Sequence, residues 1–484
     1  MLRKYFISNI FIMLLLNLLV KPVWIFFIDR NVQLRVGHDE YGLYGALVGL
    51  TVIFNILLDM GITSYNNKSM AEDNKLIESK LPNMIAAKAI LSAIYFFVVI
   101  VVSVVLQYSS RAIYLVFLLA IVQMLNSFLL FLRSNVSANH HFKTDSLLSV
   151  LDKVLMIAIC GFLLFSPFFN NEFLIEWFIY SQIIAYLVAS LIALLIIVKR
   201  YSKIHFSHFS MREVVALSKK SMPFAVLILL MAIYMRSDTL MLERLEGAEQ
   251  NSIYLEAYRI LDAANMIAFL FAGILLPMFS RMISQKLNVE NLLVTTVNIM
   301  LTASLALVSF CIVYAESIMT ILYPDDVNNE LMVIFSFVIG SFPAFCIMYI
   351  YSTLLTANGN ISLLIKIALS ASIFSIVLNI ALIHYLHAAG AAITCFSVQW
   401  LLAFIYIYIS IKKFNLSVHY RRILKFIAVF VLMLMLNAVL HYFNVLLLYA
   451  VLCNTGVFIF IVYSIKLWDK RIIESYFKQY KSID

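Results

Sequence analysis

Fourteen apolar runs, each about as long as a bilayer-crossing helix, follow one another along the chain with short charged or turn-forming segments between them. They fall at 7–28, 41–62, 84–106, 113–132, 147–165, 173–198, 222–242, 254–279, 293–314, 331–355, 363–385, 388–411, 423–443 and 445–467. Crossing the hydrocarbon takes roughly 20 apolar residues per helix, because each backbone group must find its partner inside its own segment. A soluble fold could not hide so many, since its interior grows too slowly with size. Composition agrees: of 484 residues 63% are hydrophobic and only 13% charged, where soluble domains carry about a quarter charged. The fold class is therefore an all-α polytopic membrane protein of about 14 transmembrane helices. A soluble enzyme, a nucleic-acid reader and a secreted disulfide scaffold are excluded.

The first run is too long for a cleaved signal peptide, and Lys21-Pro22 stands where a small-residue cleavage site would be needed. With the N-terminus inside, 25 of the 35 basic residues fall in inner segments, counting Lys425 and Lys466 at the inner ends of the last two spans. Only Arg30, Arg35, Arg111 and Arg244 lie in outer loops. This positive-inside bias places both termini in the cytoplasm. The net charge of +9 is then topology, and it requires no nucleic acid or other anionic partner. The longest extramembrane segment, 199–220, has no room for a nucleotide-binding domain, and no G-x-x-x-x-G-K-[ST] occurs. Cys160, Cys311, Cys346, Cys395 and Cys453 all lie in apolar runs without a C-x-x-C pair, so they read as small core hydrophobes. His140-His141 sit in a loop without ligand-spaced partners, so no metal site is expected.

The two halves echo each other. Lys21 matches Arg236 at an offset of 215, and Tyr41-Gly42-Leu43-Tyr44 matches Tyr254-Leu255-Glu256-Ala257 at 213. Lys68 matches Arg281 at 213, and Ala138-Asn139 matches Ala357-Asn358 at 219. Six spans per copy is even, so the repeat is parallel, with its axis along the membrane normal. The expected organisation is an N-terminal six-helix bundle (1–198), a cytoplasmic linker (199–221), a C-terminal six-helix bundle (222–411) and two additional helices with a tail (412–484). Phe206, Phe209, Val214 and Leu217 are spaced for an amphipathic helix on the inner leaflet; a solvated linker fits as well.

Several short stretches resemble the bacterial polysaccharide flippases. They are Glu40-Tyr41-Gly42-Leu43-Tyr44 with Leu58-Asp59-Met60-Gly61-Ile62, then Ala257-Tyr258-Arg259-Ile260 with Leu276-Pro277-Met278-Phe279-Ser280-Arg281. Leu355-Thr356-Ala357-Asn358-Gly359 follows, and then Asn379 with Ala389-Gly390-Ala391-Ala392-Ile393. That superfamily also holds multidrug extruders and lipid II flippases. The resemblance implies a 6+6 fold around a central cavity, with two extra C-terminal helices, in the bacterial inner membrane. It implies translocation of undecaprenyl-diphosphate-linked oligosaccharide to the outer leaflet, without catalysis or a cofactor. Membrane lipids and transient contacts with polysaccharide assembly proteins are the expected partners.

Ionisable residues inside a membrane are costly, so each is a functional candidate. Lys21, Arg236 and Arg259 are expected roughly two thirds of the way outward along their spans. Cations facing a watery cavity would replace the hydration and counter-ions of a diphosphate, arginine with a bidentate fork. The competing reading is neutralisation by neighbours. Asp238 lies two residues from Arg236, and Glu256, Arg259 and Asp262 are spaced for a local ion-pair ladder. Asp59, in the last turn of its span, has a role by family pattern. Asp238 or Asp262 are candidates to bind a coupling Na⁺ or H⁺. Lys88 and Lys366, near inner helix ends, are expected to snorkel to water, and Asp152-Lys153 to form a local or interhelical ion pair.

Two other functions compete. A multidrug-type exporter of small cations would need its intramembrane acids to exceed its bases and would normally stop at 12 spans. A membrane polysaccharide polymerase would display a long outer loop, and the longest one here has about 16 residues.

Overall fold

In the computed structural model the described residues are 16–17, 19–60, 62–63, 76–138, 142–166, 173–200, 211–417 and 420–464. All secondary structure among them is helical: α1 (Arg30–Val36), α2 (His38–Ile53), α3 (Leu76–Val105), α4 (Ser110–Ala138), α5 (Phe142–Phe165), α6 (Ile175–Arg200), α7 (Met211–Glu246), α8 (Ala248–Ser284), α9 (Glu290–Val313), α10 (Ala315–Leu322), α11 (Asn329–Gly340), α12 (Phe342–Ala357), α13 (Ile361–Phe414), α14 (Tyr420–Tyr442) and α15 (Leu447–Ser464). A π-helical turn, Trp24–Asp29, leads into α1, and a 3₁₀ turn, Phe54–Leu58, ends α2. Twelve helices among the described residues are long and apolar enough to cross a bilayer. The protein is thus an all-α, multi-pass membrane protein.

Two expected spans, 363–385 and 388–411, form one element, α13, that breaks at His387 (φ 50°, ψ −130°). A Cβ on Gly390 would lie 2.3 Å from the carbonyl oxygen of Leu382. Eight residues of straight helix would separate those positions by about 12 Å, so the rod folds back on itself and only glycine fits the corner. The expected first span, 7–28, is described only in part. Its helical path does not stop where apolarity stops: it passes through the π turn and on to Val36.

Packing divides the chain into two compact units, Met1–Ser252 and Ile253–Asp484. In the first, α2 lies on α7 and α4, and α6 lies between α4 and α5, around Leu47, Leu50, Tyr95, Phe131 and Phe178. A Cβ on Gly42 would meet the Ala248 carbonyl oxygen at 1.7 Å, so this position admits no side chain. Asn251 Nδ2 donates to Gly42 O at 2.7 Å. In the second unit α12 packs on α13 and α9, and α11 on α13, around Phe335 and Phe345. Outward-facing positions remain apolar, among them Phe97, Leu195 and Phe460, as expected of surfaces wetted by lipid. Four of the cysteines are buried, but Cys453 is exposed, so it is not the core hydrophobe its apolar run suggests.

Candidate functional site

Charged side chains from three separate parts of the first unit converge. Lys21 lies within electrostatic reach of Lys153, Asp152 and Arg133. Arg133 Nε donates to Asp145 Oδ1 at 2.9 Å. Lys153 Nζ is 3.7 Å from Asp152 Oδ2, donates to Tyr186 Oη at 3.4 Å, and sits 5.1 Å from the centroid of Trp24. Lys21 is half-buried and makes no hydrogen bond or ion pair of its own among the described residues. The π turn brings Trp24 and Asp29 to this region, where Trp24 stacks on Phe178 at 5.5 Å and Tyr41 Oη donates to Asp29 Oδ2 at 2.9 Å. Such single π turns inside helices recur at functional sites. Lys21, Arg133 and Lys153 thus stand among three carboxylates, Asp29, Asp145 and Asp152.

The helix that carries Lys21 runs on beyond the apolar run: fifteen residues, about 22 Å of helix, separate Lys21 from Val36. The polar stretch Arg30–Val36 ends the apolar run, yet Gln33 is buried and satisfied: its Nε2 donates to Ser252 Oγ at 2.9 Å and to Ser252 O at 3.2 Å. The helix therefore continues, and Lys21 belongs with Lys153 rather than apart from it.

Lys88 is also placed differently from expectation. Only 4% exposed, it does not snorkel; its ammonium donates to Asp59 Oδ1 at 2.7 Å, Ser127 Oγ at 2.9 Å and Leu58 O at 3.3 Å. Asp59 in turn accepts from the backbone N of Thr63 at 3.2 Å and from its hydroxyl. Charge and hydrogen-bonding capacity are both met, which makes this pair a brace between α3, α4 and the turn after α2. Lys366 is exposed, as snorkelling requires.

On α7, Arg236 is half-buried and Asp238 buried; the Asp238 carboxylate accepts from the backbone N of Thr239 at 2.9 Å. In the second unit Arg259 is buried, 5.9 Å from the centroid of Tyr323. Glu256, also buried, is within electrostatic reach of Arg259 and Asp326, while Asp262 is half-buried. Asp325 and Asp326 lie in the turn before α11, whose N-cap is Asn328, its side chain accepting from Leu331 N at 2.8 Å.

The profile of the family described as "Polysaccharide biosynthesis protein" matches residues 6–283, more than half of the chain. The chain belongs to that family. No curated protein sequence matches it significantly. The lipid II flippase MurJ, in an inward closed conformation, superposes with a TM-score of 0.71 at 13% identity, over 93% of this chain and 97% of that one. An inward-facing multidrug resistance MATE transporter of the MOP superfamily gives 0.65 at 15% identity, over 81% and 94%. A MOP superfamily transporter from Pyrococcus furiosus gives 0.55 at 14%, over 84% and 94%. At such identities the likeness is one of fold, and the fold is that of flippases and transporters.

Within this family member, the stretches that carried the resemblance have identifiable physical duties. Gly42 permits the approach of Ala248, Gly390 permits the corner of α13, and Gly359 takes a left-handed turn (φ 74°) between α12 and α13. Asn379, fully buried, has no hydrogen bond at either amide atom among the described residues. Sequence reasoning missed Arg133, Asp145, Trp24 and Tyr186. Arg133 reads as a loop residue because apolarity ends there, although α4 runs on to Ala138. His140 and His141, and Phe206 and Phe209 of the expected linker, lie outside the described residues; from Met211 the chain is already helical and continuous with α7.

Proposed function

We infer that the protein is a flippase that carries an undecaprenyl-diphosphate-linked oligosaccharide from the cytoplasmic to the outer leaflet of the bacterial inner membrane by alternating access. The observation that carries this reading is the grouping of Lys21 with Lys153, Arg133 and Asp152. Arg133 and Lys153 each have an acidic partner, and Lys21 is left to answer an incoming anion. A diphosphate leaving the headgroup layer loses water and counter-ions, and a partly desolvated ammonium restores part of both. Lys153 lies over the rings of Trp24 and Tyr186, which hold its ammonium in place within the group. Family membership and the flippase and transporter fold support the class of activity; the cations favour an anionic cargo over the small cation of a multidrug-type exporter.

In this reading both termini are cytoplasmic, translocation involves no covalent chemistry, and the working unit is two six-helix bundles plus two helices. Arg236 and Arg259 extend the anion path, while Asp238 or Asp262 takes a coupling Na⁺ or H⁺ that resets the empty carrier. Transient contacts with polysaccharide assembly proteins deliver the substrate. The test is complementation of a flippase-null strain, read by surface-polysaccharide immunoblot and by accumulation of single repeat units on the inner leaflet. Lys21→Ala is expected to insert normally and fail to complement, and Lys21→Arg to complement. Full activity of Lys21→Ala would sink the assignment.

A further inference from the structure

In the second unit two hydrophobic clusters flank a cleft. One core, Ala344, Ile347 and Ala403, lies between α12 and the second half of α13. The other is built on α14 and α15 from Val429, Met433 and Val462 with Ala306 of α9. α14 is held to α9 by Asn437 Nδ2, which donates to Ser309 Oγ at 3.2 Å, and Asn454 Nδ2 donates to Asn437 Oδ1 at 2.6 Å. Away from that anchor a cleft of about 430 Å³ remains, walled by Leu301, Tyr351, Trp400, Phe404, Phe426 and Phe430. Along α9 it extends from Glu290 to Leu305. That is about 22 Å of helix, enough to traverse the roughly 15 Å of hydrocarbon in one leaflet.

The charged residues of the cleft all stand at one end. Glu290 begins α9, Ser417 follows α13 and Arg422 opens α14. Glu290 is engaged there, its Oε1 accepting from the backbone N of Ser417 at 3.1 Å and from the Ser417 hydroxyl. Lys412, Lys413, Arg421 and Lys425 crowd the same end, and no acidic residue occurs between 411 and 430. Lys413 donates to Asn360 Oδ1, and Lys412 sits 4.7 Å from the Tyr408 centroid. A long apolar slot with a basic mouth matches a chain that carries a negative head.

We propose that this cleft binds one acyl chain of an anionic glycerophospholipid of the surrounding bilayer, with its phosphate at Arg422. The apolar walls accept the tail of any lipid; the basic mouth selects the head, since each Lys or Arg near a membrane surface favours anionic lipid. The bound chain fills the gap between the two cores and couples α14 and α15 to the rest of the unit. This assignment does not depend on which cargo the protein carries.

Trp400, in the cleft wall, supplies the probe. The full chain with Trp24→Phe, Trp177→Phe and Trp468→Phe is reconstituted in phosphatidylcholine vesicles containing brominated-chain phosphatidylglycerol or brominated-chain phosphatidylcholine at equal mole fractions. Brominated phosphatidylglycerol is expected to quench Trp400 at an about fivefold lower mole fraction. Arg422→Gln is expected to remove most of that preference, and Val297→Phe, which narrows the cleft, to reduce quenching by both lipids. Equal quenching by the two lipids, or an undiminished preference in an Arg422→Gln/Lys425→Gln variant, would overturn the proposal. So would displacement of the brominated lipid by undecaprenyl phosphate but not by unbrominated phosphatidylglycerol, which would give the cleft to a polyprenyl chain.

Discussion

Lys21 and Lys88 belong to the same unit, yet their surroundings are opposite. Lys88 has an aspartate, a hydroxyl and a carbonyl on its ammonium, while Lys21 has cations on its flank, Asp152 within reach and no bond of its own among the described residues. Position along a span separates them too, but it sets Lys88 down as a lysine snorkelling to water, where the structure gives it a filled set of partners. The difference teaches that the cost of an intramembrane charge is informative only once its partners are counted. A charge with its capacity filled is part of the frame, and a charge without a partner is available for a ligand.

The largest effect should come from breaking the brace. Removing one member of a fully buried pair costs about 3–5 kcal/mol; Asp59, with its side chain 26% exposed, keeps part of its hydration and brings the cost here to the low end. Lys88→Met is therefore expected to lower the unfolding temperature in detergent sharply. Adding Asp59→Asn should recover most of the loss, because a neutral pair leaves no stranded charge. If Lys88→Met unfolds like the parent, the brace is not structural and the comparison fails. Lys21→Ala should do the reverse, keeping the unfolding temperature but losing transport by about 10- to 100-fold, the worth of one charged hydrogen bond.

Much of the fold was readable and rather less of the site. Twelve helices answer the apolar runs, because hydrocarbon burial dictates length and little else. The tilted pair Tyr41 and Tyr44, 5.6 Å apart at 44°, has a counterpart in Tyr254 and Tyr258, 5.5 Å apart at 44°, close to the repeat offset seen in the sequence. What failed was the inference from polarity to helix end. Gln33 and Arg133 are polar yet helical, because each finds a partner distant in sequence, Ser252 and Asp145. Lys88 was misplaced for the same reason: sequence gives the height of a residue on its helix, not the face it presents. Asp59, 29 residues away, decides that face.

Two smaller effects sharpen the contrast within the cationic group. Lys153→Met removes a cation already engaged with Asp152 and Tyr186, so transport should fall several-fold, less than for Lys21→Ala, while Asp152→Asn should preserve or raise it in the same complementation assay. A Lys153→Met effect larger than that of Lys21→Ala would transfer the principal role to Lys153. The smallest change is expected at the rim of the first unit. Arg111 bridges Glu40 at 2.6 Å and Glu176 at 3.3 Å with its side chain 52% exposed, and solvent-exposed pairs contribute about 0–1 kcal/mol. Arg111→Ala should hence shift the unfolding temperature by no more than a few degrees and leave transport intact. It has more ionic contacts than Lys21 and should matter less, because its own side chain is half in water and Glu40, its nearer acid, is 31% exposed.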